Sequence, residues 1–209
     1  MRNISSGSLY LVISEGCDTT RPALEIAESG ILGGVDIIQM REKNKSEAEL
    51  IKLGKKLCRL CKNTGVKFIV NDDPDLAKKV GACGVHMGQE DIRQCPVSRA
   101  RTILGKDKII GISTHSYEEF KKATEEDVDY IAFGPIFKTK TKDYFIGTGD
   151  IKKVLRIKRK PVFFIGGINL SNIGSLIKMG IKNIAIIRGI AGASGIESTA
   201  RKFKEAITG

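Results

Sequence analysis

The chain has 209 residues, 41% hydrophobic and 28% charged, enough for a sizeable core and too apolar for a disordered segment. Lysine and arginine number 35 against 24 acidic residues, a formal net charge of +11 that suits phosphorylated small molecules, nucleic acid or an anionic membrane surface. No apolar run approaches the roughly 20 residues of a bilayer span, and residues 1–16 lack the basic start, long apolar stretch and cleavage site of a secretory signal.

Along the chain, short apolar or β-branched runs alternate with longer amphipathic stretches. Strands are expected at Leu9–Ile13, Asp36–Met40, Lys67–Val70, Gly84–Met87, Ile109–Ser113, Tyr130–Phe133, Val162–Ile165 and Asn183–Ile187. Helices are expected near Arg21–Ser29, Ser46–Asn63, Asp75–Val80, Ser98–Leu104, Tyr117–Thr124, Ile151–Lys158, Leu170–Met179 and Ser198–Ile207. Ser46 with Glu49, and Ser116 with Glu119, read as capping boxes. Gly30, Gly65 and Gly180 fall where a left-handed residue would close a helix. Strands apolar on both faces, each followed by a helix, indicate a parallel sheet. The turn Ser14-Glu15-Gly16-Cys17-Asp18 lacks the G-x-G-x-x-G of a dinucleotide fold, and no G-x-x-x-x-G-K-[ST] occurs. The count fits a (β/α)8 TIM barrel, a single domain over residues 1–209.

The basic residues resolve into clusters rather than a nucleic-acid stripe. Lys52, Lys55, Lys56, Arg59 and Lys62 have helical spacing, as expected of a solvated face, and Lys152 to Lys160 surround a helix end. With no tryptophan and no interleaved aromatics, no nucleic-acid partner is expected. A basic nucleic-acid module would instead show steeply salt-dependent retention on DNA or RNA. The five cysteines, Cys17, Cys58, Cys61, Cys83 and Cys95, are an odd number that fits a reducing cytoplasm. Cys58 and Cys61 form a C-x-x-C pair without a second pair for zinc or a strand-to-helix turn for redox work, so they read as ordinary helix cysteines.

Barrel chemistry sits where strands end, and there the polar residues gather. The second strand ends Gln39-Met40-Arg41-Glu42-Lys43, the third Asn71-Asp72-Asp73, and the fourth Gly88-Gln89-Glu90-Asp91. The fifth ends Ser113-Thr114-His115, and the sixth runs through Gly134-Pro135 to Thr139-Lys140-Thr141-Lys142. Gly166-Gly167-Ile168 follows the seventh strand and Ile187-Arg188-Gly189 the eighth. Such a rim is expected of an enzyme. His86, inside the fourth strand, reads as packed there rather than as a base. His115 is a lesser candidate for binding. No Ser–His–Asp or Cys–His arrangement is evident, so no nucleophilic catalyst is expected.

These tails, in this order from Leu9 onward, resemble the thiamine phosphate synthase family. Its pattern has Q-x-R-x-K, N-D, G-Q-x-D, G-x-S, G-P-x-x-x-T-x-T-K and G-G-I after successive strands; Gly111 and Ser113 supply the G-x-S. The resemblance implies a transferase of thiamine biosynthesis. It joins 4-amino-5-hydroxymethyl-2-methylpyrimidine diphosphate to a thiazole phosphate, or its carboxylated form, and releases pyrophosphate with Mg²⁺ bound. It also implies a homodimer. The residues suit that chemistry. Arg41, Lys43 and Lys142 would stabilise a departing diphosphate, and Asp72 with Asp91 would ligate Mg²⁺. Gln39 and Asn71 would orient the pyrimidine ring and diphosphate, and Met40 and Glu42 are counted among the substrate-binding residues. Ser113 either donates to a phosphate oxygen or is satisfied by the backbone. Thr139, Lys140, Thr141, Gly166, Gly167, Ile187 and Arg188 fall in the remaining substrate set; the glycines either let backbone N–H groups approach a phosphate or simply make a turn. The family usually closes its eighth strand with a hydrophobic residue and serine, whereas this chain has Ile187-Arg188. Arg188 then either points outward among the helices or curls over the rim to a phosphate. A related thiazole tautomerase shares the barrel but has no diphosphate to ionise; Asn71-Asp72 with Gln89 and Asp91 favour the synthase.

Overall fold

A strand apolar on both faces has to be covered on both, and a ring of such strands covers its own inner face. The computed structural model describes residues 3–14, 20–140 and 142–209 and takes that form. The strands are β1 (Leu9–Ser14), β2 (Ile37–Arg41), β3 (Lys67–Asn71), β4 (Gly84–Met87), β5 (Ile109–Thr114), β6 (Tyr130–Phe133), β7 (Val162–Ile165) and β8 (Ile184–Ile186). The helices are α1 (Ala23–Leu32), α2 (Glu47–Thr64), α3 (Pro74–Val80), α4 (Gln89–Gln94), α5 (Val97–Leu104), α6 (Tyr117–Glu125), α7 (Ile151–Ile157), α8 (Ile173–Lys178), α9 (Arg188–Ala191) and α10 (Ile196–Thr208). All strands pair in parallel with their sequence neighbours, and β1 with β8, closing the barrel.

Alternation sorts the strand residues into two cores. Inside the ring, Tyr10, Val12, Ile37, Ile69, Ile109, Tyr130, Phe163 and Ala185 pack together. Tyr10, Tyr130 and Phe163 meet edge to face, with centroids 5.2–5.8 Å apart. Between ring and helices lies the larger core, including Leu11, Ile38, Met40, Val70, Val85, Ile112 and Phe133. At the opposite end from the strand tails, carboxylates clasp neighbouring strands. Asp36 Oδ2 accepts from Leu9 N at 2.7 Å and pairs with Lys204 Nζ of α10, which also donates to Gly7 O at 2.8 Å. Asp129 Oδ2 accepts from Ile110 N at 2.8 Å and pairs with Arg101 at 2.9 Å.

Several local expectations hold and some are corrected. The Ser46–Glu49 capping box forms in full, with Ser46 N donating to Glu49 Oε2 at 2.9 Å. At Ser116 only one half forms: its hydroxyl accepts from Glu119 N, while Glu119 accepts instead from His115 N at 2.7 Å. Gly65 and Gly180 are left-handed, at φ 77° and 86°. Gly30 is not a helix closer, since α1 continues to Leu32; a Cβ there would stand 2.7 Å from Leu11 Cδ2, so the glycine seats α1 against β1. The expected helix from Leu170 begins only at Ile173, because Asn169 Oδ1 holds Ser171 N and Asn172 N in a turn. The strand expected over Asn183–Ile187 spans Ile184–Ile186, and the short helices α4 and α9 were not anticipated.

Cys61 is buried, and burial pushes its thiol up to about 12; Cys58 Sγ donates to Gly81 O at 3.2 Å. Both are packed helix thiols. Cys17, Thr141 and most of the turn after β1 lie outside the described residues.

Candidate active site

The same alternation that fills the ring points polar groups into its mouth. Following Tyr10 and Val12, Ile37, Ile69 and Ile109 inward, the next inward positions are Gln39, Arg41, Asn71, His86 and Ser113. They line one cavity of about 370 Å³ at the strand ends. Thr139, Lys140 and Lys142 enclose it from the loop after β6, together with Gly166 and Gly167 after β7 and Ile187 and Arg188 after β8. Val12, Ile165 and Ala185 line it from within and pack in turn on the tyrosine layer. Met40 and Glu42 occupy the other phase of β2. Met40 is buried in the outer core, and Glu42 faces a separate pocket with Arg21, Lys45 and Lys52. Any contact of theirs with a ligand in the cavity is therefore confined to the backbone.

Arg41 lies at the end of β2, where Nη1 donates to Ser14 Oγ at 3.2 Å. Lys43 is exposed beyond it. Across the rim, Asp72 takes a left-handed φ of 65°, with its N–H donating to His86 O at 2.7 Å. Asp91 belongs to the first turn of α4, and its Oδ2 accepts from Gly88 N at 2.9 Å. Gln89 anchors that helix to β5 by donating to Ser113 O at 2.5 Å. This gives the G-Q-x-D run a physical reason: turn, brace and capping carboxylate.

Asp72 and Asp91 are hydrogen-bonding neighbours. Burial, and then the Asp91 carboxylate, push Asp72 up to about 6, against the pull of Lys43 and Arg41. Two ionised carboxylates held this close repel one another, and a cation beside them would relieve the repulsion. Among the described residues no group of three or more His, Cys, Asp or Glu could hold a metal, so a cation here would have two protein carboxylates at most. That donor set fits an Mg²⁺ completing its shell with waters and substrate phosphate oxygens.

Gly166 and Gly167 have φ of 99° and 66°, and a Cβ on either would come within 2.5 Å of the loop after β6. Both are required by close approach of the two loops. Lys142 Nζ stands 5.9 Å from the centre of the Tyr144 ring. Arg188 starts α9 and is among the residues bordering the cavity, with its Nε buried. His86 is packed, as expected, but its ring also forms part of the cavity wall; burial lowers it to about 4, so it is neutral. His115 lines the cavity too, with Nδ1–H donating to Gly134 O at 2.6 Å. Lys138 and Asn169 are further wall residues that the sequence reading did not single out.

The arrangement has relatives. A family model described as thiamine monophosphate synthase matches residues 9–190. The chain is 39% identical to the thiamine-phosphate synthase of Halalkalibacterium halodurans, covering 93% of this chain and 92% of that one. It is 38% identical to that of Persephonella marina, covering 94% of each. A solved structure, the thiamine phosphate pyrophosphorylase from Pyrococcus furiosus, superposes with a TM-score of 0.86 at 32% identity, covering 96% of this chain and 95% of that one. With strand ends that match the family pattern on the wall of one cavity, and a family model spanning β1 to α9, the chain belongs to the thiamine monophosphate synthase family.

Proposed function

We propose that the chain is a transferase that condenses 4-amino-5-hydroxymethyl-2-methylpyrimidine diphosphate with a thiazole phosphate, giving thiamine phosphate and pyrophosphate. The observation that carries this reading is one cavity with Arg41 and Lys142 on its wall and the Asp72–Asp91 pair beside it. The bond between the pyrimidine methylene carbon and the diphosphate oxygen breaks with its electrons on the leaving group. The thiazole nitrogen then bonds to that carbon. Arg41 forks onto phosphate oxygens while Lys43 and Lys142 act as mobile point charges where negative charge accumulates. Asp72 and Asp91 would hold Mg²⁺, whose chemistry when bound is neutralisation of the departing diphosphate. Asn71 and Gln39 orient the pyrimidine diphosphate, and Ser113 donates to a phosphate oxygen. Thr139, Thr141 and the backbone at Gly166 and Gly167 receive the thiazole monophosphate, with Lys140 and Ile187 on the same side. No covalent enzyme intermediate is needed.

We place the protein in the cytoplasm as an enzyme of small molecules, not nucleic acid. Among the described residues no helix is long and apolar enough to cross a membrane. Buried thiols such as Cys61 suit a reducing compartment. The homodimer implied by family resemblance is checked by light scattering. The reading as a whole is tested by pyrophosphate release from the pyrimidine diphosphate. Release should require both the thiazole phosphate and Mg²⁺; no release with both present refutes it.

Arg188 on the cavity wall takes the position where the family usually has serine. We assign it to the thiazole phosphate, where a guanidinium forms a stronger, charge-assisted contact than a hydroxyl. Arg188→Ser should raise the KM for thiazole phosphate by at least about tenfold, corresponding to about 1.5–3 kcal/mol for a hydrogen bond to a charged group. The KM for the pyrimidine diphosphate should hardly move. A lowered melting temperature with both constants unchanged would make Arg188 structural.

A further inference from the structure

A continuous hydrogen-bonded chain linking five strands runs through the ring and reaches the cavity wall at both ends. Gln39 Nε2 donates to Tyr10 Oη at 2.8 Å, and Tyr10 Oη lies 2.8 Å from Tyr130 Oη. Tyr130 Oη is 2.9 Å from His86 Nδ1, and His86 Nε2 is 2.8 Å from Ser113 Oγ. The tyrosines are buried, at 2% and 0% exposure, while Gln39, His86 and Ser113 reach the cavity. Gly111 makes the chain possible. It stands between His86 and Tyr130 in the sheet register, and a Cβ there would fall 2.0 Å from Tyr130 Cζ. The glycine leaves the room through which the Tyr130 ring crosses to stack on His86, centroids 5.5 Å apart.

The protons in this chain can be counted. Both phenols are buried without a cation beside them and each keeps one proton, and His86, a buried ring held between the hydroxyls of Tyr130 and Ser113, counts as a neutral imidazole with one N–H. Three protons serve four contacts. The fourth comes from an end, and the geometry takes it from the Gln39 amide nitrogen. Tyr10 then donates to Tyr130, Tyr130 to His86 Nδ1, and His86 Nε2–H to Ser113. The Ser113 hydroxyl proton is left to turn into the cavity, and so is Gln39 Oε1 as an acceptor.

We propose that Tyr10 and Tyr130 are positioning residues that fix the direction of this chain, so that Gln39 presents its carbonyl oxygen to the pyrimidine amino group and Ser113 presents its proton to the leaving diphosphate. The proposal rests on the cavity being the pyrimidine diphosphate site. It couples selection of the ring to departure of the leaving group. A pyrimidine with a carbonyl oxygen in place of the amino group would set oxygen against oxygen at Gln39. Turning the amide over to meet it would reverse every proton in the chain and withdraw the Ser113 donor.

Two measurements test this. The ¹⁵N shifts of His86, one of two histidines, assigned by difference against His115→Asn, should show Nε2 protonated and Nδ1 bare. The opposite tautomer overturns the proposed direction, whatever the enzyme's substrate. In kinetics, Tyr130→Phe should lower kcat/KM for the pyrimidine diphosphate about tenfold and leave the KM for thiazole phosphate within about twofold. In a Ser113→Ala background the same change should cost less than about twofold, because its effect passes through Ser113. Losses that multiply, or a folded Tyr130→Phe with wild-type kinetics, overturn the proposal. If Tyr130→Phe does not fold, the same cycle is run with Tyr10→Phe against Gln39→Ala. A wild-type enzyme that releases no pyrophosphate refutes the functional reading instead.

Discussion

Replacing Asp72 or Asp91 with asparagine should cut turnover at least about a hundredfold, since losing one charge-stabilising group costs roughly 3 kcal/mol of barrier. The measurement is pyrophosphate release at saturating substrates and limiting Mg²⁺; full activity in both variants removes the metal assignment. The Asp72 variant has a second signature that needs no turnover. In the folded chain the Asp72 carboxyl is raised from 3.8 to about 6, so the folded state binds its proton more tightly than the unfolded state. The ionised group therefore opposes folding above about pH 6, and this penalty disappears as pH falls towards 4. Asparagine removes the penalty and also tolerates the left-handed backbone at φ 65° better. Allowing for solvent screening of a partly open group, the gain should be about 1 kcal/mol at pH 7, or roughly 3 °C in Tm for a chain of this size. Melting without Mg²⁺ should show Asp72→Asn more stable than wild type at pH 7.5 and level with it near pH 4. A variant less stable at pH 7.5 would mean that the carboxylate is not strained as described.

Gly111→Ala is expected to destabilise the fold severely through a single methyl. Its Cβ would sit 2.0 Å from Tyr130 Cζ and 2.3 Å from Cε1, far inside contact, and the ring is pinned by Tyr10, Phe163 and His86. Overpacking of this kind costs about 3 kcal/mol, which lowers Tm by roughly 10 °C. The cause is specific, so it can be cancelled. In a Tyr130→Ala background the added methyl should cost under about 1 kcal/mol by denaturant titration. Equal costs in both backgrounds would place the strain elsewhere.

The barrel was legible because each strand is an apolar run matched by a helix, a pattern carried by local sequence. Much of the cavity was legible for the same reason: once β2 is a strand, Gln39 and Arg41 share one face. That phase also turns Met40 and Glu42 away, a point the tail motif read as a block conceals. The tyrosine chain was not legible. Tyr10 and Tyr130 sit in the runs Leu9–Ser14 and Tyr130–Phe133, where an aromatic reads as core, and their hydroxyl partners come from strands far away in sequence. Gly111 resembled a motif glycine, and its reason appears only when Tyr130 lies opposite it. α4 and α9 escaped because six and four residues are too few for a helical period to show. Arg188 was ambiguous until α9 began at it.

Closure of the ring by β1 on β8 sets the order in which the molecule can be made. Ser8 N donates to Asn183 Oδ1 across 175 residues of sequence, and the Lys204 clasp on Asp36 lies later still. During synthesis, β1 emerges first and waits with one hydrogen-bonding edge uncovered until residues 184–186 have left the ribosome. Contacts of such sequence separation form slowly, so the nascent chain spends most of its elongation as an open, growing sheet with two sticky margins. A chain released before Ile184 would keep both margins for good, a template for pairing with other copies. Premature termination late in the message should therefore yield insoluble protein rather than a weakened enzyme.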